Sequence, residues 1–175
     1  MRAKPPFVSA TVNAGGAGRR AHSNPATLVT PGRRLAGGGL VAADAGASGF
    51  WVARTFATTE LGTVAVPPYA DPGWAVAAVT AARLADPLRP ALAVIDGELD
   101  EMGRAVIELG RSRRIGVGVE AWAPAGEPLD RAAHDARLAR LVAPGGPGEV
   151  ATVATDAAQI DQFVAAAGPV REWRP

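Results

Sequence analysis

Cysteine is absent from the 175 residues. Disulfides, thiolate metal sites and cysteine nucleophiles are therefore excluded. Lysine is almost absent, occurring once against seventeen arginines. The only histidines are His22 and His134, and no spacing joins either one to a serine–acid pair or to a set of metal-ligand residues. Nucleophilic hydrolysis and metal catalysis thus find no support. Aromatic residues make up 5% of the chain, too few to offer nucleic acid a stacking platform, and no basic stripe falls on a predicted helix. No apolar run approaches the roughly 20 residues of a membrane span. The basic start, Met1-Arg2-Ala3-Lys4-Pro5-Pro6, leads into no continuous apolar run of signal-peptide length. The expectation is a cytoplasmic protein with neither membrane nor nucleic acid as partner.

At 48% hydrophobic the chain can bury a sizeable core, and its length suits one α/β domain over residues 1–175. The net charge of +1 conceals an asymmetry: residues 1–60 carry seven basic groups against two acids, leaving +5 there and −4 in the rest. A basic amino-terminal third suits an anionic partner such as a phosphate-bearing cofactor. An Arg-for-Lys bias with abundant Ala, Gly and Pro, as a GC-rich genome produces, accounts for it equally well.

The pattern along the chain is one of repeating strand–helix units. Phe7 to Asn13 alternates apolar and small polar residues and predicts a strand; a Gly- and Pro-rich loop follows to Pro31. Leu35 to Ala45 is a helix candidate thinned by Gly37, Gly38 and Gly39, with Gly46 as its C-cap. Gly49 to Ala53 is a short apolar run of the buried parallel-strand kind. An extra strand is expected at Thr63 to Val66. Asp71 and Pro72 open a helix running through Leu84. Strands then follow at Ala91 to Ile95, Ile115 to Val119 and Glu149 to Ala154, separated by helices at Glu98 to Leu109 and Leu129 to Val142. A helix at Ala157 to Ala167 and a short segment from Val170 complete the chain. Such alternation predicts an α/β fold of repeating βα units with one mainly parallel sheet.

Few motifs carry chemistry. Gly16-Ala17-Gly18-Arg19-Arg20-Ala21 has the G-x-G-x-x-A form after a predicted strand. Pro25 interrupts the helix that form requires, and the second strand ends at Arg54 instead of an acid. An anion contact by Arg19 and Arg20, or a plain Gly-rich loop, are the readings left. Asp96 and Glu120 each follow a run of strand residues, at the carboxyl edge where parallel sheets bind ligands. Asn13 and Arg54 hold the same position on the first two strands. Helix capping by Asp96, a surface ion pair for Glu120 and a core role for Trp122 are the structural alternatives. His134, mid-helix beside Asp135, reads as a solvated residue.

Ala42-Ala43-Asp44-Ala45-Gly46 followed by Gly49-Phe50-Trp51-Val52, then Asp71-Pro72 opening an Ala-rich helix, resembles the bacterial luciferase-like family of flavin- and deazaflavin-dependent oxidoreductases. So does the stretch from Ile107 through Arg111 and Arg113 to Gly116-Val117-Gly118 and Trp122. The likeness covers roughly residues 36–140. It implies a reduced or incomplete TIM-barrel-like fold, with an open doubly wound sheet as the alternative, since six strands do not close an eight-stranded barrel. It further implies FMN or coenzyme F420 as cofactor, with hydride transfer to a small-molecule substrate. On that reading Asp96, Glu120 and Arg54 are the catalytic candidates. Asn13 and Trp122 would lie against the ring, and Arg19 and Arg20 would contact the phosphate. The reading from a different class is a non-catalytic α/β protein that works by association. A homodimer burying the Gly-thinned helix Leu35 to Ala45, with Leu40 and Val41 at the contact, is expected on the same grounds.

Overall fold

The computed structural model describes residues 38–56, 60–124, 131–146 and 148–155. Five strands and four helices alternate along them: β1 (Leu40–Ala43), α1 (Ala47–Thr55), β2 (Val64–Ala65), α2 (Trp74–Ala85), β3 (Ala91–Asp96), α3 (Glu101–Ser112), β4 (Val119–Ala123), α4 (Arg131–Leu141) and β5 (Val150–Ala154). All neighbouring strands pair in parallel, in the order β2-β1-β3-β4-β5. This is an open, doubly wound α/β sheet, not closed into a barrel. Among the described residues no helix is long and apolar enough to cross a membrane.

Central parallel strands must be apolar on both faces, because helices cover each side. β1 and β3 meet that demand, with Leu40 to Ala43 and Ala91 to Ile95 all buried. The two faces form separate cores. One gathers Val41, Ala43, Leu92, Val94, Trp122 and Val153 against Trp51 and Val52 of α1 and Leu138 and Leu141 of α4. The other gathers Leu40, Ala42, Ala93, Val119 and Ala121 against Val76 and Val79 of α2 and Ile107 of α3. Thus α1 and α4 share one face, and α2 and α3 the other.

That distribution has a topological consequence. The steps β2 to β3, β3 to β4 and β4 to β5 run in one direction across the sheet, and α2 and α3 make the first two over one face. Because α4 makes the third over the opposite face, its crossover has the opposite hand to the other three. Right-handed crossovers account for about 98% of such connections. A fourth helix of the common hand would have covered β4 and β5 on the α3 side. Among the described residues no helix covers that side along β5, where Val150 and Thr152 are exposed while Ala151 and Val153 are buried.

Several elements differ from the sequence expectation. Leu40 to Ala43 is the strand beside β3, not part of a helix, and Gly49 to Ala53 lies in α1, not in a strand. The run Gly-Phe-Trp-Val has β propensity, but Ser48, Trp51 and Val52 fall at i, i+3 and i+4 and are buried together, so tertiary burial overrides it. Gly46 precedes α1 instead of ending a helix. α2 starts at Trp74 behind a left-handed Gly73; Asp71 contributes only its carbonyl, which accepts from the Trp74 N–H at 3.1 Å. The strand expected at Ile115 to Val119 begins at Val119 and runs to Ala123. A Cβ at Gly118 would sit 2.0 Å from the Leu141 carbonyl, so the approach of the α4 end to this segment requires glycine. The strand near Thr63, the helix through Leu84, β3, and the α4 stripe Leu138–Leu141–Val142 agree with expectation. Phe7 to Asn13, the Gly-rich loop with His22 and the helix at Ala157 to Ala167 lie outside the described residues.

Candidate functional site

The strand order reverses between β1 and β3: the chain leaves β1 toward β2 and returns across it to β3. Ligands of open α/β sheets bind at such a switch point, outside the carboxyl ends of the strands. Asp44 follows β1 there, and Asp96 ends β3. Asp96 is thus at the edge its sequence position predicts. Asp44 was hidden by the misplaced helix, although Leu-Val-Ala-Ala-Asp is itself a strand ending in an acid.

Each of these carboxylates engages the N-terminal turn of a helix. The Ser48 N–H of α1 donates to Asp96 Oδ1 at 2.9 Å, and the Ala75 N–H of α2 donates to Asp44 Oδ1 at 3.1 Å. Asp100, the N-cap of α3, accepts from the Gly103 N–H at 2.6 Å and from the Gly73 N–H at 2.8 Å. The first amides of a helix have no partner within it, and its positive end favours an anion. The three acids therefore pin three helices to the sheet edge. Gly46, at φ 142°, brings the β1–α1 turn so near Asp96 that a Cβ there would lie 2.4 Å from Oδ2. Burial pushes the Asp96 carboxyl above its ordinary value, against the pull of the Ser48 and Ala47 hydrogen bonds. Burial also raises Asp44, with the Asp96 and Asp100 charges adding to it and the Ala75 hydrogen bond opposing.

Glu120 is not at a strand end. It is the second residue of β4, 1% exposed, and its side chain turns into the α1–α4 face. Its Oε1 accepts from Trp122 Nε1 at 2.7 Å, and its Oε2 meets His134 Nε2 of α4 at 2.8 Å. Trp122 and His134 are each 4% exposed. The structure thus joins two of the residues singled out, Glu120 and Trp122, with a third that was read as solvated. His134, Leu138 and Leu141 fall at i, i+4 and i+7, one stripe of α4, and that spacing was the available signal. The trio is a buried polar clasp between sheet and helix.

Arg54 lies in the last turn of α1, not at a strand end, with its guanidinium 5.5 Å from the Phe50 ring centroid. Asn13, Arg19 and Arg20 lie outside the described residues. Arg83 was not anticipated. At 1% exposure it gives Nη1 to the Gly116 carbonyl and Nη2 to those of Ala91 and Val142, at 3.2 and 2.9 Å. Desolvation lowers its pKa from the ordinary value. Among the described residues no group of three or more His, Cys, Asp or Glu is arranged to hold a metal ion.

A groove of about 750 Å³ lies on the α3 side of β4 and β5. Ala121, Ala123, Val150 and Thr152 form its floor; Glu98, Leu99 and Arg104 flank it on the α3 side, and Arg137 and Glu149 at the outer edge. Arg137 reaches around β5 to donate to the Thr152 carbonyl at 3.1 Å. Neither a protein-family model nor a curated protein matches this chain.

Proposed function

We propose that this protein is a non-catalytic α/β module that works by oligomeric association. The observation that carries this reading is the α3 side of β4 and β5, which no helix covers along β5 among the described residues and which is hollowed into a broad groove. Parallel sheets are found with both faces covered, so a sheet half-covered by the described residues favours a partner. The carboxylates at the sheet edge support the same reading, since Asp44, Asp96 and the α3 N-cap Asp100 hold helix N-termini. The flavin reading draws little from the described residues. Glu120 and Trp122 are buried against His134 instead of lining a cleft, and Arg54 sits on α1. Three carboxylates at the switch point also oppose a cofactor phosphate there.

Solution mass measured together with the absorbance spectrum and an FMN and F420 titration tests the proposal. A colourless oligomer that binds neither cofactor is expected. A coloured protein, or saturable cofactor binding, would overturn the association reading in favour of the oxidoreductase.

A further inference from the structure

We infer that the α4–β5 unit is exchanged between two copies of this chain, so that α4 and β5 of one copy complete the sheet of the other. The inference rests on the association reading above and names the exchanged part and the partner.

The observation behind it is the hand of one connection. The helix α1 covers one face on the way from β1 to β2, while α2 and α3 cover the other on the way to β3 and β4. α4 lies on the α1 face, yet β5 continues in the direction of β3 and β4. Within one chain, that connection has the hand found in only about 2% of such units. The rule concerns a strand, a crossover and a second strand that one chain places in one sheet. In an exchanged pair, β4 of one copy sends its link to the sheet of the other, where β5 pairs with the partner's β4. No β4–α4–β5 unit then closes within one sheet, and the disfavoured hand disappears.

The contacts that seat the unit suit such an exchange. His134 Nε2 meets Glu120 Oε2 at 2.8 Å, and Arg83 Nη2 donates to the Val142 carbonyl at 2.9 Å. The Val119 N–H donates to the Glu149 carbonyl at 2.8 Å, where the β4–β5 ladder begins. Each of these joins a residue before the link to a residue after it, so a second copy supplies the same partner and none is lost. Domain swapping is for that reason a low-cost route to a dimer. The link from Pro124 to Asp130 reads Pro-Ala-Gly-Glu-Pro-Leu-Asp. Pro124 and Pro128 each bias the residue before them toward extended backbone, which carries a chain onward more readily than it turns it back. A link of this length spans at most about 25 Å, which sets the carboxyl edges of the two sheets side by side. The dimer contact predicted at Leu40 and Val41 has no part in this, because both are buried in β1.

The test uses the full chain, whose lack of cysteine lets an introduced pair report which chains meet. Ala121 and Thr152 are register partners across β4 and β5. Neighbouring strands lie about 4.8 Å apart, within the span a disulfide bridges. The Ala121→Cys, Thr152→Cys double variant, oxidised at tens of micromolar and separated under denaturing, non-reducing conditions, should run as a covalent dimer. Thr152→Cys alone should give none. Wild type should sediment as a dimer, and about six Gly and Ser residues inserted after Gly126, which let the chain close on itself, should weaken that dimer at least tenfold. A wild-type dimer whose double variant yields only internally bridged monomers would overturn the exchange while leaving the association reading intact, and so would a dimer indifferent to the longer link. A monomeric wild type overturns both.

Discussion

The two halves of the sheet are covered differently. Around β1 and β3, α1 lies on one face and α2 on the other, and both strands are buried on both sides. Around β4 and β5, α4 covers one face, α3 reaches only part of the other, and β5 alternates exposed and buried residues. The first half is held by apolar packing with capping carboxylates at its rim. The second relies on a buried polar clasp, Glu120 with Trp122 and His134, to hold a helix whose crossover has the opposite hand. The difference teaches that the interior of a parallel sheet is closed mainly by hydrophobic burial when helices cover both of its faces. A helix placed against the usual hand is instead fixed by a specific contact, and its departure from the common face leaves the α3 side of β5 without a helix among the described residues.

The largest effect is expected from breaking the clasp. Glu120→Ala leaves His134 and the Trp122 N–H without their buried partner, and each buried polar group left unsatisfied costs about 1–3 kcal/mol. Chemical denaturation should show that loss, and hydrogen exchange should show α4 opening before α2. This reverses the expectation for a strand-end acid, whose change would alter ligand binding and spare the melting temperature.

Next comes Arg83, which spans the halves by holding the carbonyls of Ala91, Gly116 and Val142. Arg83→Met keeps much of the packing but strips those acceptors of a charged donor. A loss of about 3 kcal/mol is expected, hydrogen bonds to charged groups each contributing about 1.5–3 kcal/mol. An unchanged denaturation midpoint would mean that the two halves do not depend on this tie.

A smaller effect concerns the rim of the first half. The folded values of Asp44 and Asp96 are raised above the ordinary 3.8. Their contribution to stability is therefore fully present below that ordinary value and is lost as pH rises through the raised ones. As pH falls across this window, wild type should gain stability relative to an Asp44→Asn, Asp96→Asn double variant, whose amide oxygens still accept from Ala75 and Ser48. Parallel stability–pH profiles for the two proteins would contradict this. The smallest effect is expected at the exposed pair Glu108–Arg111 on α3: Glu108→Gln should change stability by less than about 1 kcal/mol in a denaturant titration.

Much of this fold is legible in the sequence, and the reasons for the rest are physical. α2, α3 and α4 announce themselves by apolar spacing, and β3 and β5 by apolar runs between turn residues. β1 and α1 were inverted because four short residues after a glycine run look like a weak helix, while Gly-Phe-Trp-Val looks like a strand; only packing against Leu92 and Val94 decides otherwise. That inversion hid Asp44 and misplaced Arg54. The edge position of Asp96 was readable from the strand preceding it. Glu120 was recognised as unusual, but its place at a strand end depended on a strand set four residues too early. The hand of the α4 crossover leaves no trace in local sequence, and with it the exposure of Val150 and Thr152 on β5 was invisible.

Because the chain has no cysteine, one introduced thiol reports directly on that face. Val150→Cys, treated with a charged thiol reagent over a range of protein concentrations, tests the central claim. The association reading predicts slow labelling at tens of micromolar that becomes at least tenfold faster as the protein is diluted to nanomolar. A control Leu61→Cys, at a fully exposed position away from the groove, should label rapidly throughout. Labelling of Val150→Cys at one fast rate across all concentrations would contradict the account, because the α3 side of β5 would then have no second copy upon it.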